Sequence, residues 1–148
     1  MFSEKKLLML VEDSQDDMEL ALMALHENGM AGEPVLARDG QEALNYLLSP
    51  DESHDRPMPD VLLLDLKLPR VNGLEVLKQL RENVRTRYLP VVVFSSSKEE
   101  CDVKECYRLG ANSYIQKSLS YSKFTDSVKQ ISHYWLELNE ALPVCIQA

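Results

Sequence analysis

Residues 61–65 have the sequence VLLLD, in which four apolar residues suited to a β-strand are followed directly by a carboxylate. An apolar run without polar interruption is typical of a central strand in a parallel sheet, because helices cover both faces of such a sheet. The stretch therefore predicts an α/β fold. In an open parallel sheet the ligand site lies outside the carboxyl ends of the strands, so Asp65 stands where a functional residue is expected.

Three other predicted strands also end at a residue that can bind phosphate or metal. These strands and the residues after them are Leu7–Val11 with Glu12 and Asp13, Val91–Phe94 with Ser95, and Ser113–Gln116 with Lys117. The remaining strand, Pro34–Ala37, lacks such a residue. Because the carboxyl ends of parallel strands meet at one edge of the sheet, three carboxylates, a hydroxyl and an ammonium group are expected in one pocket.

Helical patterns separate the strands. The first predicted helix begins at Ser14, which forms a capping box with Asp17. The five predicted helices are Ser14–Asn28, Asp39–Leu47, Gly73–Asn83, Lys98–Leu109 and Ser120–Pro143. Five βα units predict a doubly wound, flavodoxin-like α/β fold with a five-stranded parallel sheet in the order 2-1-3-4-5. Strands 1 and 3 are then neighbours, which places Glu12 and Asp13 beside Asp65.

The composition bounds the possible functions. The chain has 148 residues, and its 24 acidic and 16 basic side chains give a net charge of -8. This length predicts one domain over residues 1–142, a short tail at 143–148 and no output domain. The negative field argues against binding to nucleic acid or to a membrane. Three cysteines without framework spacing, and no apolar segment long enough for a signal or a span, predict a cytoplasmic protein.

Three carboxylates in one pocket would repel one another. At ~4 Å each pair costs about 4 kcal/mol with an effective dielectric constant of ~20, which is comparable with the whole stability of a domain. A hard divalent cation offsets this repulsion, and an oxygen-only site suits Mg²⁺, for which Mn²⁺ can substitute. The predicted ligands are Glu12, Asp13, Asp65 and the backbone carbonyl of Lys67. Any one acid taken alone could instead be solvated or cap a helix.

Asp65 is the expected nucleophile, because an aspartate carboxylate can attack phosphorus and form an acyl phosphate. Lys117 would neutralise the phosphoryl oxygens in the transition state. Ser95, with Ser96 beside it, is expected to donate a hydrogen bond to a phosphoryl oxygen. The run Ser95–Ser97 is equally suited to cap the next helix, so both interpretations of Ser95 remain open.

Together these motifs resemble the receiver domain of the two-component response regulators, over about residues 5–140. The matching features are the acidic pair Glu12-Asp13, the phosphoacceptor Asp65, the turn from Asp65 through Pro69 to Gly73, the switch residues Ser95 and Tyr114, and Lys117. The resemblance implies a stand-alone regulator that is not an enzyme. It would accept a phosphoryl group on Asp65 from a sensor histidine kinase, with Mg²⁺, and then switch its contacts with other proteins.

Three further features are similar to the small response regulators that are paired with bacterial and cyanobacterial phytochromes. They are Ser118 after Lys117, where most receivers have Pro, the loop Ser49–Pro59, and the sequence HYWLEL at residues 133–138. This narrower resemblance implies a phytochrome-type kinase as the partner.

The last helix carries more apolar residues than one core stripe needs. The expected inward stripe is Phe124, Val128, Ile131, Trp135 and Leu138, whereas Tyr121, Tyr134 and Leu136 lie off it. Such residues near one helix end indicate an interface, although they could also pack under the N-terminal segment or the tail. Similarity to the phytochrome-associated group favours a symmetric homodimer through strand 5 and its flanking helices. The expected interface residues are Tyr121, Tyr134, Trp135 and Leu136.

Two other α/β families fit the strand pattern but fail at single positions. A phosphatase of the haloacid dehalogenase type also uses an Asp nucleophile after a strand, but it needs a second Asp two residues later, where this chain has Lys67. A flavodoxin-like cofactor binder needs a phosphate-binding loop after strand 1. Residues 11–14 are acidic here and would repel a phosphate.

Overall fold

The computed structural model describes residues 6–30, 32–49 and 56–143. Within them five strands alternate with five helices, and a short π-helix follows the last helix. The elements are β1 (Leu8–Val11), α1 (Gln15–Glu27), β2 (Val35–Ala37), α2 (Gly40–Leu47), β3 (Val61–Leu64), α3 (Gly73–Glu82), β4 (Val91–Ser95), α4 (Glu100–Arg108), β5 (Ser113–Gln116), α5 (Tyr121–His133) and the π-helix Tyr134–Leu138.

Parts of the predicted organisation fall outside this range. Residues 1–5 of the predicted domain, residues 50–55 of the predicted loop Ser49–Pro59, and the predicted tail beyond Pro143 lie outside the described residues. None of the helices that the structure describes combines the length and the apolar character needed to cross a membrane.

The strands form one parallel sheet in the order β2-β1-β3-β4-β5, which confirms the predicted fold class and strand order. β1 and β3 lie side by side, with Val11 opposite Leu64. Every residue of β3 is buried, as the uninterrupted apolar run predicted. Because Glu12 follows Val11 and Asp65 follows Leu64, both acids lie at the same edge of the sheet.

Helices cover both faces of the sheet, because side chains alternate in direction along each strand. Met9 and Val11 of β1 belong to the core that also contains the buried residues of α2 and α3. Leu8 and Leu10 belong to the core that also contains the buried residues of α1 and α5. Burying each such side chain contributes about 1.5–3 kcal/mol. The central strands are therefore held from both sides, and the positions of the residues at their ends are well defined.

Gly73, at the start of α3, allows the chain after β3 to pack closely. A Cβ atom at this position would lie 2.3 Å from the Asp65 carbonyl oxygen and 2.7 Å from the Leu66 Cα, so no larger residue fits without a shift. The Gly73 N–H donates to the Leu66 carbonyl at 2.8 Å and closes the turn. Asp65 is thus fixed on one side by β3 and on the other by the start of α3.

The segment after α5 differs from the predicted regular helix. In the π-helix Tyr134–Leu138, the Asn139 N–H donates to the Tyr134 carbonyl at 2.7 Å, which makes a wider turn than that of an α-helix. The wider turn changes the helical phase, so Leu136 packs against the core and Leu138 is 61% exposed. The predicted inward position of Leu138 and outward position of Leu136 are therefore wrong.

Two predicted helix bounds are also wrong. The helical segment ends at Leu138 and not at Pro143, because Asn139 has an extended backbone whose carbonyl accepts a hydrogen bond from Lys6 Nζ at 2.7 Å. α4 begins at Glu100, with Glu99 as its N-cap, and not at Lys98. The other predicted bounds agree with the structure to within one residue.

Candidate functional site

Three carboxylates meet at the carboxyl edge of the sheet. Glu12 and Asp13 follow β1, Asp65 follows β3, and one oxygen atom from each side chain lies within 4.8 Å of the other two. Glu12 is 3% exposed and Asp65 is 7% exposed, whereas Asp13 is an exposed residue. The structure thus brings together the three side chains that the sequence predicted as metal ligands.

The Lys117 ammonium lies among these acids at the end of β5. Its Nζ donates to Glu12 Oε1 at 2.5 Å and to Asp65 Oδ2 at 3.2 Å. The third acceptor is Asp17 Oδ2, at 2.8 Å, so all three ammonium hydrogens have a carboxylate partner. Burial alone would lower the pKa of Lys117, but the hydrogen bond to Asp17 and the charges of the other two acids raise it above its ordinary value. Lys117 therefore stays charged.

One ammonium group does not balance this concentration of acids. Burial, helped by the charge of Asp65 and opposed by the hydrogen bond from Lys117, raises the pKa of Glu12 to about 7. The carboxylates carry more negative charge than Lys117 neutralises, and a hard divalent cation binds such carboxylate oxygens. Glu12, Asp13 and Asp65 therefore fit a cation of that class, and their oxygen-only donor set does not favour zinc.

Backbone donors orient the two buried acids. Asp65 Oδ1 accepts the Leu66 N–H at 2.7 Å, while its other oxygen accepts from Lys117. Glu12 Oε2 accepts the Ser14 N–H at 3.1 Å. Lys67 has an exposed side chain in the turn after Asp65, and the role of its backbone carbonyl as a metal ligand stays a prediction.

Ser95 is fully buried at the end of β4, and its Oγ accepts the Ser97 N–H at 3.2 Å. Because Glu99 is the N-cap of α4, the alternative in which Ser95 caps this helix is wrong. Ser96, the other predicted phosphoryl-binding serine, is exposed on the same loop. Ser95 is thus the serine of this run that stands at the end of β4, the strand that pairs with β3 and therefore ends at the same edge of the sheet as Asp65.

Tyr114 is linked to Ser95 through Ser97. The Tyr114 hydroxyl donates to the Ser97 carbonyl at 2.6 Å, and the Ser97 Oγ donates to Asp102 Oδ2 in the first turn of α4 at 2.5 Å. Burial raises the pKa of Tyr114, so its hydroxyl remains a donor. The chain of contacts runs from Ser95 through Ser97 to both Tyr114 and α4.

Sequence reasoning missed two residues of this site. The sequence pattern indicates only a capping-box role for Asp17, but the capping contact uses its backbone N–H, which donates to Ser14 Oγ and leaves the carboxylate to reach Lys117. The available signal was a pair of acids in the first turn of the helix that follows Glu12. The sequence does not distinguish Ser97 from Ser96, because the two serines differ only in burial, with Ser97 at 7% exposed.

The predicted interface residues divide into two pairs. Tyr121 is 54% exposed and Tyr134 is 47% exposed. Trp135 and Leu136 are partly buried and pack against the core beneath α5, and the Trp135 ring meets the Tyr134 ring edge-on with centroids 4.9 Å apart. The two tyrosines are thus the members of this set with the most surface available to another protein.

Comparison with protein-family models gives a match over residues 8–129 to the response regulator receiver domain. The chain belongs to this family. Receiver domains accept phosphoryl groups from sensor histidine kinases, so the chain is a phosphoacceptor signalling protein. The family match supports neither the phosphatase nor the flavodoxin-like alternative.

Individual relatives share most of the chain. It is 38% identical over 135 residues to the probable methanogenesis regulatory protein FilR2 of Methanothrix harundinacea. The aligned residues cover 91% of this chain and 86% of that protein. It is 36% identical over 132 residues to the response regulator Rcp1 of Synechocystis sp., which covers 89% of this chain and 90% of that protein.

Solved structures show the same relationship. The crystal structure of the Mn²⁺-bound form of Rcp1 matches this chain with a TM-score of 0.86 and 35% sequence identity. The match covers 93% of this chain and 99% of that chain. The phosphorylated cyanobacterial phytochrome response regulator RcpA has a TM-score of 0.87 and 38% identity, with coverage of 93% and 99%. These similarities confirm the predicted resemblance to the phytochrome-associated response regulators, and the Mn²⁺-bound relative agrees with an acidic cluster suited to a divalent cation.

Proposed function

We propose that this receiver accepts a phosphoryl group on Asp65 from a sensor histidine kinase in a Mg²⁺-dependent reaction, and that the modification switches its contacts with other proteins. The observation that carries the proposal is the position of Asp65. It is a buried carboxylate whose Oδ2 lies 3.2 Å from the Lys117 ammonium, within a cluster formed with Glu12 and Asp13.

The residues around Asp65 suit an in-line transfer. A carboxylate oxygen of Asp65 would attack the phosphorus of the donor phosphohistidine, so that the P–O bond of an acyl phosphate forms while the P–N bond breaks and the imidazole leaves. The Leu66 N–H keeps one Asp65 oxygen oriented, and Lys117 is close enough to donate to a phosphoryl oxygen. When bound by Glu12, Asp13 and Asp65, the metal supplies charge neutralisation for the phosphoryl oxygens.

A phytochrome-type kinase is the partner that the comparisons favour. The support is similarity to RcpA, a cyanobacterial phytochrome response regulator, at 38% identity over nearly all of that chain. Phosphotransfer profiling with the host's purified sensor kinases tests this assignment. We expect the phytochrome-type kinase to label the protein faster than the other kinases. Preferential labelling by a kinase of another type would overturn the phytochrome assignment and leave the receiver function in place.

Phosphorylation is expected to move Ser95 and Tyr114 together. The phosphoryl group adds a charge of about −1.5 to −2 and new acceptor oxygens. If the Ser95 hydroxyl turns to these oxygens, it releases the Ser97 N–H, and the Ser97 carbonyl that holds the Tyr114 hydroxyl then moves as well. The result is a shift between existing conformations with a coupling of about 1–3 kcal/mol.

NMR of tyrosine-labelled protein, with and without beryllofluoride, measures this coupling. The Tyr114 signal should shift in the parent protein and shift much less in Ser95→Ala. Tyr88, which is 70% exposed, provides the internal reference. An unchanged Tyr114 signal in parent protein that has bound the phosphoryl mimic would refute the coupling.

A symmetric homodimer through β5 and its flanking helices is the expected assembly. Tyr134 offers exposed aromatic surface beside Ile115 of β5, and aromatic residues dominate the energetics of interfaces. Tyr121 is also exposed, but its hydroxyl donates to Met23 Sδ of α1 at 3.3 Å. Tyr134→Glu should therefore weaken dimerisation by about tenfold or more. Sedimentation velocity, with and without beryllofluoride, measures this, and Tyr88→Glu provides a matched control at another exposed tyrosine. A parent protein that stays monomeric at high micromolar concentration in both states would contradict the dimer.

A further inference from the structure

Asp17 differs from the other acids that contact Lys117. Glu12 and Asp65 belong to the cluster whose oxygens lie within 4.8 Å of one another, together with Asp13, and Asp17 is not a member of that cluster. Asp17 nevertheless accepts from Lys117 Nζ at 2.8 Å, a shorter distance than the 3.2 Å to Asp65. Lys117 is therefore held by two acids that can also bind a metal and by one that stands apart.

This division matters when a divalent cation is bound. Glu12 and Asp65, which now offset the charge of Lys117, would share their oxygens with the cation, and two positive groups would occupy one largely buried pocket. Lys117 is itself only 9% exposed, so a loss of its carboxylate partners is costly. Asp17 is the contact of Lys117 that lies outside the acidic cluster.

We propose that Asp17 is a positioning residue, which keeps the Lys117 ammonium beside Asp65 while a metal occupies the acidic cluster. The inference rests on the proposed function of Asp65 and Lys117 and deepens it. With Asp17 in place, Lys117 can give up its bond to Glu12 and keep one donor for a phosphoryl oxygen on Asp65. Without Asp17, the ammonium competes with the metal for the same carboxylates.

A general role in helix stability does not account for the contact. Asp16 and Asp17 are both in the first turn of α1, where negative charge favours the helix dipole. The capping contact with Ser14 uses the Asp17 backbone N–H, so an Asn at this position keeps it. Asp16 is exposed, and its side chain makes no hydrogen bond or ion pair to Lys117. Asp16→Asn is therefore a control with the same change of charge in the same helical turn.

The test is a double-mutant cycle of Mg²⁺ affinity, measured by calorimetry on the whole chain. Asp17→Asn should weaken Mg²⁺ binding by about fivefold more than Asp16→Asn does, as expected for residues in direct contact. In the Lys117→Met background the two Asn variants should differ by less than about twofold. Thermal unfolding without metal confirms that each variant folds.

Two outcomes overturn the proposal. In one, Asp17→Asn and Asp16→Asn have equal effects while Lys117 is present. In the other, the excess effect of Asp17→Asn persists in Lys117→Met, which would mean that Asp17 acts directly on the metal. The cycle needs no phosphorylation, so it decides the role of Asp17 even if the parent accepts no phosphoryl group. A parent that accepts no phosphoryl group would refute the proposed function but not the role of Asp17. Where the parent is phosphorylated by acetyl phosphate, Asp17→Asn should also slow that reaction more than Asp16→Asn does.

Discussion

Asp65→Asn is expected to abolish phosphorylation while leaving the fold intact. Parent protein incubated with acetyl phosphate and Mg²⁺ should gain the mass of one phosphoryl group, and the variant should gain none. The reason is that an amide cannot act as the nucleophile that the Asp65 carboxylate provides. The Asn side chain still offers an oxygen to the Leu66 N–H, and it removes one of the charges that repel in the pocket. The variant loses the bond from Lys117 to Asp65 Oδ2, but Lys117 keeps Glu12 and Asp17 as carboxylate partners, so the variant should still fold.

Intact-mass spectrometry measures the adduct, and Asp126→Asn provides the control. Asp126 is an exposed aspartate on α5, so this variant should be modified like the parent. A phosphoryl adduct that persists in Asp65→Asn would show that another residue accepts the group, and the assignment of the site would then be wrong.

Removal of the Asp13 carboxylate is expected to have the second largest effect, on metal binding. Mg²⁺ at about 100 times its Kd should raise the melting temperature of the parent by roughly 5–10 °C, because a ligand that binds only the folded state stabilises it. Asp13→Asn should lose most of this rise. Asp13 is exposed and has little to contribute to stability without metal, so the loss is specific to the metal-bound protein.

Variants of the other predicted ligands, and of an acid outside the cluster, test whether the loss is specific to the metal site. Asp65→Asn should lose the metal-dependent rise as well, and Glu12→Gln should lose a smaller share. Asp16→Asn, which removes an exposed charge in the first turn of α1, should keep nearly all of it. A melting temperature of Asp13→Asn that responds to Mg²⁺ as the parent does would rule out this set of ligands.

The strand order and the acidic cluster could be predicted because both depend on positions along the backbone. The uninterrupted run at residues 61–64 required a strand buried on both faces, and Asp65 follows it directly. In a parallel sheet, residues at the strand ends share one edge whatever their side-chain conformation. Glu12, Asp65 and Lys117 therefore came together from sequence spacing alone, as the contacts of Lys117 show.

The missed features depend on side-chain reach and helical phase, which spacing does not determine. Asp17 lies on a helix, and its carboxylate contacts Lys117 only because of how α1 sits against the end of β5. Ser97 and Ser96 differ in burial and not in residue type. The π-helix contains a wider turn that the apolar periodicity of the sequence does not indicate. Because of this turn, Leu136 is partly buried and Leu138 is exposed, the reverse of the predicted arrangement.

The most direct test of the central claim is to locate the phosphoryl group after transfer from a phosphorylated sensor kinase. Reduction of the acyl phosphate converts the modified aspartate to homoserine, which peptide mass spectrometry then identifies. With Mg²⁺ present, we expect homoserine at position 65 and at no other aspartate, and with a chelator present we expect none. Homoserine at another position, or equal transfer with and without the metal, would contradict a metal-dependent phosphoacceptor at Asp65.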